Sequence, residues 1–262
     1  MAQERSSIRR HGRRGTVAIA AGAVLWIAFV VAMPNLATAG VGHSISQAPP
    51  FHGSLHLAST VQSTGCGGSA SLVVPPTFNL STGVGREYGK SAALGCGPTG
   101  FSDTGFTEAT TGLDTLPVLT HAPAPRNWSF SYRSNVSWNL SATPMNPFGG
   151  PFAWAAASFV IVGVLYDLTN STVVQGFSST LLIPSTNSST TGNESGYAAT
   201  PGGFSVTNFP NLTVAGHHYI FQFYVETFEW TYAPSGTSAH ASARLNLATG
   251  GHQVKLLHWS LS

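Results

Sequence analysis

Charge is what this 262-residue chain has least of. Asp, Glu, Lys and Arg make up 8% of it, against roughly 25% in an average soluble domain. Hydrophobic residues, at 42%, still supply a core, so low charge here does not mean disorder. Two cysteines exclude a disulfide-rich mini-scaffold and a four-thiolate zinc site. Beyond residue 39 the only Met is Met145, and no His follows either Cys at ligand spacing. That excludes a blue-copper centre. There is no Gly-x-Ser-x-Gly elbow, phosphate-binding loop or His-Glu-x-x-His. After the N-terminal segment no apolar run is long enough to cross a bilayer, and no amphipathic helical pattern exceeds two turns.

What charge there is begins unevenly. Arg5, Arg9, Arg10, Arg13 and Arg14 precede an uncharged run from Thr16 to Met33. Pro34 ends the run, and Ala37-Thr38-Ala39 stands before Gly40. A basic head, an apolar stretch and a small-x-small site form a secretory signal. The apolar stretch exceeds the usual ~7–15 residues and approaches the ~20 of a membrane span. Residues 1–39 therefore read either as a cleaved signal peptide or as an N-terminal hydrophobic anchor helix. Both place residues 40–262 outside the cytoplasm, secreted or anchored to the cell membrane, because the arginines stay inside. Beyond residue 39 only Arg86, Lys90, Arg126, Arg133, Arg244 and Lys255 are basic, against eight acids, for a net charge of −2. They are scattered along the chain, with no run of the kind that binds nucleic acid. The expected organisation is 1–39 signal or anchor, 40–51 extended spacer, and 52–262 one β-sandwich ectodomain.

Eight Asn-x-Ser/Thr sequons occur, at Asn79, Asn127, Asn135, Asn139, Asn170, Asn187, Asn193 and Asn211. Chance in a Ser/Thr-rich chain gives roughly two or three. In an exported protein the excess points to N-glycosylation.

Period 2 dominates. In residues 127–141 the even positions read Trp128, Phe130, Tyr132, Ser134, Val136, Trp138, Leu140, and the odd ones are Asn, Ser or Arg. One dry and one wet face make a half-buried strand or hairpin, with any turn near Arg133–Ser134. The register sends the tryptophans inward and Asn127, Asn135 and Asn139 outward. Residues 237–247 alternate in the same way. Phe159–Tyr166, apolar on both faces, reads as a central strand. Tyr219–Tyr232 reads as a long aromatic strand with a bulge, because Glu226 and Glu229 fall on opposite parities. Shorter strands are expected near 54–62, 69–74, 86–94, 101–108, 172–183, 203–207 and 253–261. Residues 109–126 and 185–201 read as connections, the latter a Ser/Thr/Asn/Gly-rich, glycan-bearing loop or a linker between two sub-sheets. The fold class is all-β: a single antiparallel β-sandwich of Greek-key, jelly-roll or immunoglobulin-like type.

Ala215-Gly216-His217-His218-Tyr219 opens the aromatic strand. It resembles the tyrosine corner of immunoglobulin-like and fibronectin type III sandwiches, which implies that the Tyr219 hydroxyl bonds back to the backbone. The resemblance covers about eight residues and says nothing of activity. Cys66 and Cys96, each flanked by glycines, are both exported and expected to form a disulfide, which would contribute roughly 3–4 kcal/mol.

Candidate chemistry is sparse. Nine histidines remain beyond residue 39, but His52 and His56 would stand ~13 Å apart along a strand and His217 and His218 on opposite faces. No metal or cofactor is implied. Asp103, Glu108 and Asp114 share one region, and Glu226 and Glu229 share one strand. Gln222 and Glu226 share a strand face, similar to the Gln/Glu pair of glutamic acid peptidases, whose other motifs are missing. Phe228, Trp230 and Tyr232, spaced by two, form a candidate sugar-stacking platform. The function expected is a non-catalytic exported cell-surface glycoprotein, structural, adhesive or glycan-binding, with glycans or other surface proteins as partners. The alternatives are a secreted hydrolase of glycosidase or acid-peptidase type, or a metal-binding extracytoplasmic protein.

Overall fold

A computed structural model of the chain describes residues 44–95, 102–143, 153–186, 192–234 and 239–262. The signal or anchor segment, Cys96 and Asn187 lie outside them. Among the described residues no helix is long and apolar enough to cross a membrane.

Among the described residues, thirteen strands form two antiparallel sheets. They are β1 (Ile45–Gln47), β2 (Gly53–Thr64), β3 (Ser69–Asn79), β4 (Val84–Leu94), β5 (Asp103–Thr115), β6 (Val118–Leu119) and β7 (Trp128–Ala142), then β8 (Trp154–Asp167), β9 (Thr172–Thr186), β10 (Gly192–Val206), β11 (His218–Ala233), β12 (His240–Asn246) and β13 (Gln253–Leu261). The seven-stranded sheet runs β1-β13-β4-β12-β7-β10, with β3 beside β4. The six-stranded sheet runs β2-β5-β11-β8-β9, with β6 beside β11. The molecule is a β-sandwich.

β7 follows the alternation its sequence dictates. Trp128, Phe130, Tyr132, Ser134, Val136 and Leu140 are buried, while Arg133 and Asn139 are exposed. No hairpin interrupts it, since β10 pairs with it from Ala142 to Trp128 without a break. Trp138 points inward but is only half-buried, lying over Gly196 of β10, where a Cβ would stand 2.2 Å from the ring. Rings gather near the start of β7. Phe130 packs against Phe177, Phe221 and Phe223 at centroid distances of 5.3–6.1 Å.

Four expectations are corrected. β11 carries no bulge, because its pairings with β5 and β8 run in unbroken register. The opposite parity of Glu226 and Glu229 is real, with Glu226 outside and Glu229 buried inside. The first half of residues 109–126 is strand, since β5 continues to Thr115 and β6 follows, while 120–126 form the connection. The 185–201 loop is mostly β9 and β10, which reach Thr186 and resume at Gly192. Ser, Thr and Gly suit a strand where small side chains cover a neighbour's rings, as Gly196 does, so composition misled there. Ile45–Gln47, in the predicted spacer, pairs with β13, and Ile45 and Phe51 enter the core.

The Tyr219 corner forms. Its hydroxyl accepts a hydrogen bond from Val214 N at 2.8 Å, and Gly216 sits at φ +87°, where glycine is favoured. Beside it His217 Nδ1 lies 2.8 Å from Asp167 Oδ2.

Candidate functional site

The unbroken register of β11 decides which residues share a surface. Inward go Phe221, Phe223, Val225, Thr227, Glu229 and Thr231, all buried. Gln222, Tyr224, Glu226, Phe228, Trp230 and Tyr232 line the outer face of the six-stranded sheet, each half-buried among its neighbours. The platform residues Phe228, Trp230 and Tyr232 are thus brought together on one face.

The neighbouring strands extend it. Phe106 of β5 stands opposite Trp230, and Trp154 of β8 opposite Tyr232. Phe228 and Trp230 are stacked at 5.4 Å and 3°. Phe106 and Trp230 lie 5.7 Å apart, Trp154 and Tyr232 6.2 Å apart at 20°. Further along, His56 of β2 stacks on Tyr224 at 5.0 Å and 15°. Sequence reasoning missed Phe106, Trp154 and His56, because it takes cross-strand pairing to put them beside β11; Tyr224, on β11 itself, shares the parity of Phe228 and is legible from alternation alone.

Two carboxylates interrupt this aromatic stripe. Glu108 is opposite Phe228, and Glu226 is one pair further along. Burial raises the pKa of Glu108. Burial also raises that of Glu226, the Glu108 charge raises it further, and His56 partly offsets this. Tyr224 is pushed up to about 12 by burial and then by the charges of Glu226 and Asp114. Asp114 faces Gln222 across the strands, with His56 Nδ1 3.5 Å from its Oδ1. The face therefore offers flat rings at both ends, the Glu108 and Glu226 carboxyls between them, and the Gln222 amide and His56 imidazole at the Tyr224 end.

A second acid pair is sealed inside. Glu87 of β4 and Glu229 of β11 point into the sandwich from opposite sheets, both at 0% exposure. Thr107 Oγ1 donates to Glu229 Oε2. Neither oxygen of Glu87 has a hydrogen-bond partner of full geometry, although the nearby Thr227 hydroxyl favours its charged form. Burial pushes Glu87 well above the usual range and Glu229 up to about 8. Gly89 makes the room, for a Cβ there would lie 2.4 Å from the Glu229 carboxyl. Fully buried, this pair meets no substrate.

The other predicted site residues are dispersed. Asn79, Asn139, Asn170 and Asn211 are exposed. Asn127 and Asn135 are half-buried and engaged: Asn135 Nδ2 donates to Gly251 O, and its Oδ1 lies 3.0 Å from His252 Nδ1. Asn193 stands in β10, opposite Ser141. The strands of the six-stranded sheet contain no Asn at all. Cys66 lies in the β2–β3 turn. Among the described residues no group of three or more His, Cys, Asp or Glu is placed to hold a metal ion.

No family model matches the chain, and no curated protein does. Among solved structures it is similar to the enzymatically active domain of bacteriophage CBA120 tailspike protein 4, at 12% identity and a TM-score of 0.21. That match covers 78% of this chain and 19% of the other, so the chain spans about a fifth of that protein's length. It is also similar to a family 11 carbohydrate-binding module of Clostridium thermocellum in complex with a β-1,3-1,4-mixed-linked tetrasaccharide. Here identity is 8%, the TM-score is 0.18, and the match covers 78% of this chain and 88% of that one.

Proposed function

We propose that the protein is a non-catalytic, exported glycan-binding β-sandwich whose binding face is the outer surface of the six-stranded sheet. One observation carries the reading: Phe228, Trp230, Tyr232, Phe106 and Trp154 form a continuous aromatic stripe on a face that also holds Glu108, Glu226 and Gln222. A pyranose presents an apolar C–H face and an equatorial rim of hydroxyls. Rings take the first by stacking, and carboxylates and amides take the second by hydrogen bonds. The sequon-free strands leave this face clear of the protein's own sugar. Residues 1–39 would carry the sandwich out of the cytoplasm, either released or held at the membrane. Tryptophan fluorescence of the full-length chain, titrated with neutral oligosaccharides, tests the reading. Saturable quenching is expected, and Trp230→Ala should weaken binding about 10- to 100-fold, the worth of one well-packed aromatic anchor.

A second reading, a secreted hydrolase, draws on Glu108 and Glu226. Two neighbouring carboxyls with raised pKa values can divide into one acid and one base. It requires release of reducing ends from an oligosaccharide, abolished by Glu226→Gln. Binding without turnover leaves the first reading standing.

A further inference from the structure

The scattered charges of the sequence are sorted by the fold. Among the described residues every Lys and Arg borne by a strand lies in the seven-stranded sheet: Arg86 and Lys90 on β4, Arg133 on β7, Arg244 on β12 and Lys255 on β13. Each alternates with buried neighbours and so lies on the outer face. Register sets them against one another, Arg244 directly opposite Lys90 and Lys255 directly opposite Arg133. Like charges opposed in this way destabilise a sheet. Among the described side chains no carboxylate relieves them there, since Glu87, the one described acid of that sheet's strands, is buried. The other outer face is the reverse. It carries Glu108, Asp114 and Glu226, and its strands contain no Lys or Arg.

The geometry points to head-to-tail association of two copies of this chain, the basic outer face of the seven-stranded sheet of one against the acidic, aromatic outer face of the six-stranded sheet of the next. Complementarity is supplied on both sides by the same molecule. Arg and Lys meet carboxylates, and the guanidinium planes have Trp230, Phe228 and Tyr232 to lie on. Five strands of the acidic face, spaced and extended as strands are, span roughly 900 Å², comparable to the ~800 Å² per partner of a stable interface. Because the two surfaces differ, the contact is heterologous and propagates into rows unless a rotation closes it. Asn135 and Asn139 lie on the basic face, Asn139 directly opposite Arg244. Sugar attached there would act as a spacer that keeps copies apart. A bound glycan and a second copy would compete for the aromatic face, while each stands on its own observation.

The test uses full-length chain made without N-linked sugar, in a neutral detergent, by sedimentation velocity. Association that grows with concentration at about 10 mM salt and dissolves at about 0.5 M is expected. Lys90→Glu with Arg244→Glu, and separately Glu108→Lys with Glu226→Lys, should each stop it. An equimolar mixture of the two double variants, one carrying acids at both substituted patches and one carrying bases at both, should associate again. The proposal is overturned if the parent stays monomeric at low salt, if either double variant associates like the parent, or if the mixture does not. It is equally overturned if the parent stays monomeric while its basic face binds anionic vesicles or nucleic acid. The Lys90→Glu/Arg244→Glu variant leaves the aromatic face intact, so its glycan titration separates failure of this proposal from failure of the binding-face reading.

Discussion

At the scale of the residue, the buried acids set a pH dependence opposite to that of most proteins. Glu87 and Glu229 have folded pKa values raised above their unfolded ones, Glu229 to about 8 from 4.5. Between those two values the unfolded chain releases protons that the folded chain keeps, so stability falls as pH rises. Asp167 acts the other way. Burial raises it, but the hydrogen bond with His217 and those from Asn170 N and Thr169 N outweigh this and lower its pKa, so its contribution is lost only as pH falls through that lowered value. With few other ion pairs to lose, the sandwich should tolerate acid. Urea midpoints should increase from pH 8 to pH 5. Glu229→Gln should flatten that slope and stabilise the protein at pH 8 by on the order of 3 kcal/mol. A midpoint that drops on acidification over this range would contradict the assignment.

At the scale of the element, alternation was legible wherever a strand has one dry face. The register of β7 and the alternation of β12 follow from their sequences, and the Tyr219 corner follows from Gly216 and its spacing. What could not be read was anything settled by a neighbour. The Ser/Thr-rich ends of β9 and β10 become strand because they pair, and Trp154 and Phe106 join the stripe because β8 and β5 flank β11. The parity of Glu226 and Glu229 is visible in the sequence, but an acid inside a sandwich runs against solvation, so sequence alone favours a bulge that the register does not contain. Tight packing between elements makes its own prediction. A Cβ on Gly163 of β8 would stand 2.4 Å from the Phe130 ring, so Gly163→Ala should lower stability by about 1–3 kcal/mol. An unchanged melting midpoint would mean the sheets do not approach as described. The turn carrying Cys66 makes another: alkylation without reduction, even in denaturant, should label neither Cys66 nor Cys96 if they are bridged. Labelling of both would remove the bridge.

At the scale of the molecule, the two faces of the sandwich are chemically distinct. One is basic and carries the β7 sequons; the other is acidic and aromatic, and its strands contain no asparagine. Intact mass of the membrane and secreted fractions should give either a chain beginning at Gly40 or a full-length membrane species. A full-length chain in the cytosol would contradict export. The central claim is that the aromatic face binds sugar, and the most direct measurement is the tryptophan-fluorescence titration of full-length protein against neutral oligosaccharides, run in parallel on Trp230→Ala and on Trp138→Phe, which alters a tryptophan of the interior. Saturable quenching in the parent and in Trp138→Phe, lost or weakened at least tenfold in Trp230→Ala, is the predicted result. Equal affinity in all three, or no saturable response to any neutral glycan, would contradict it.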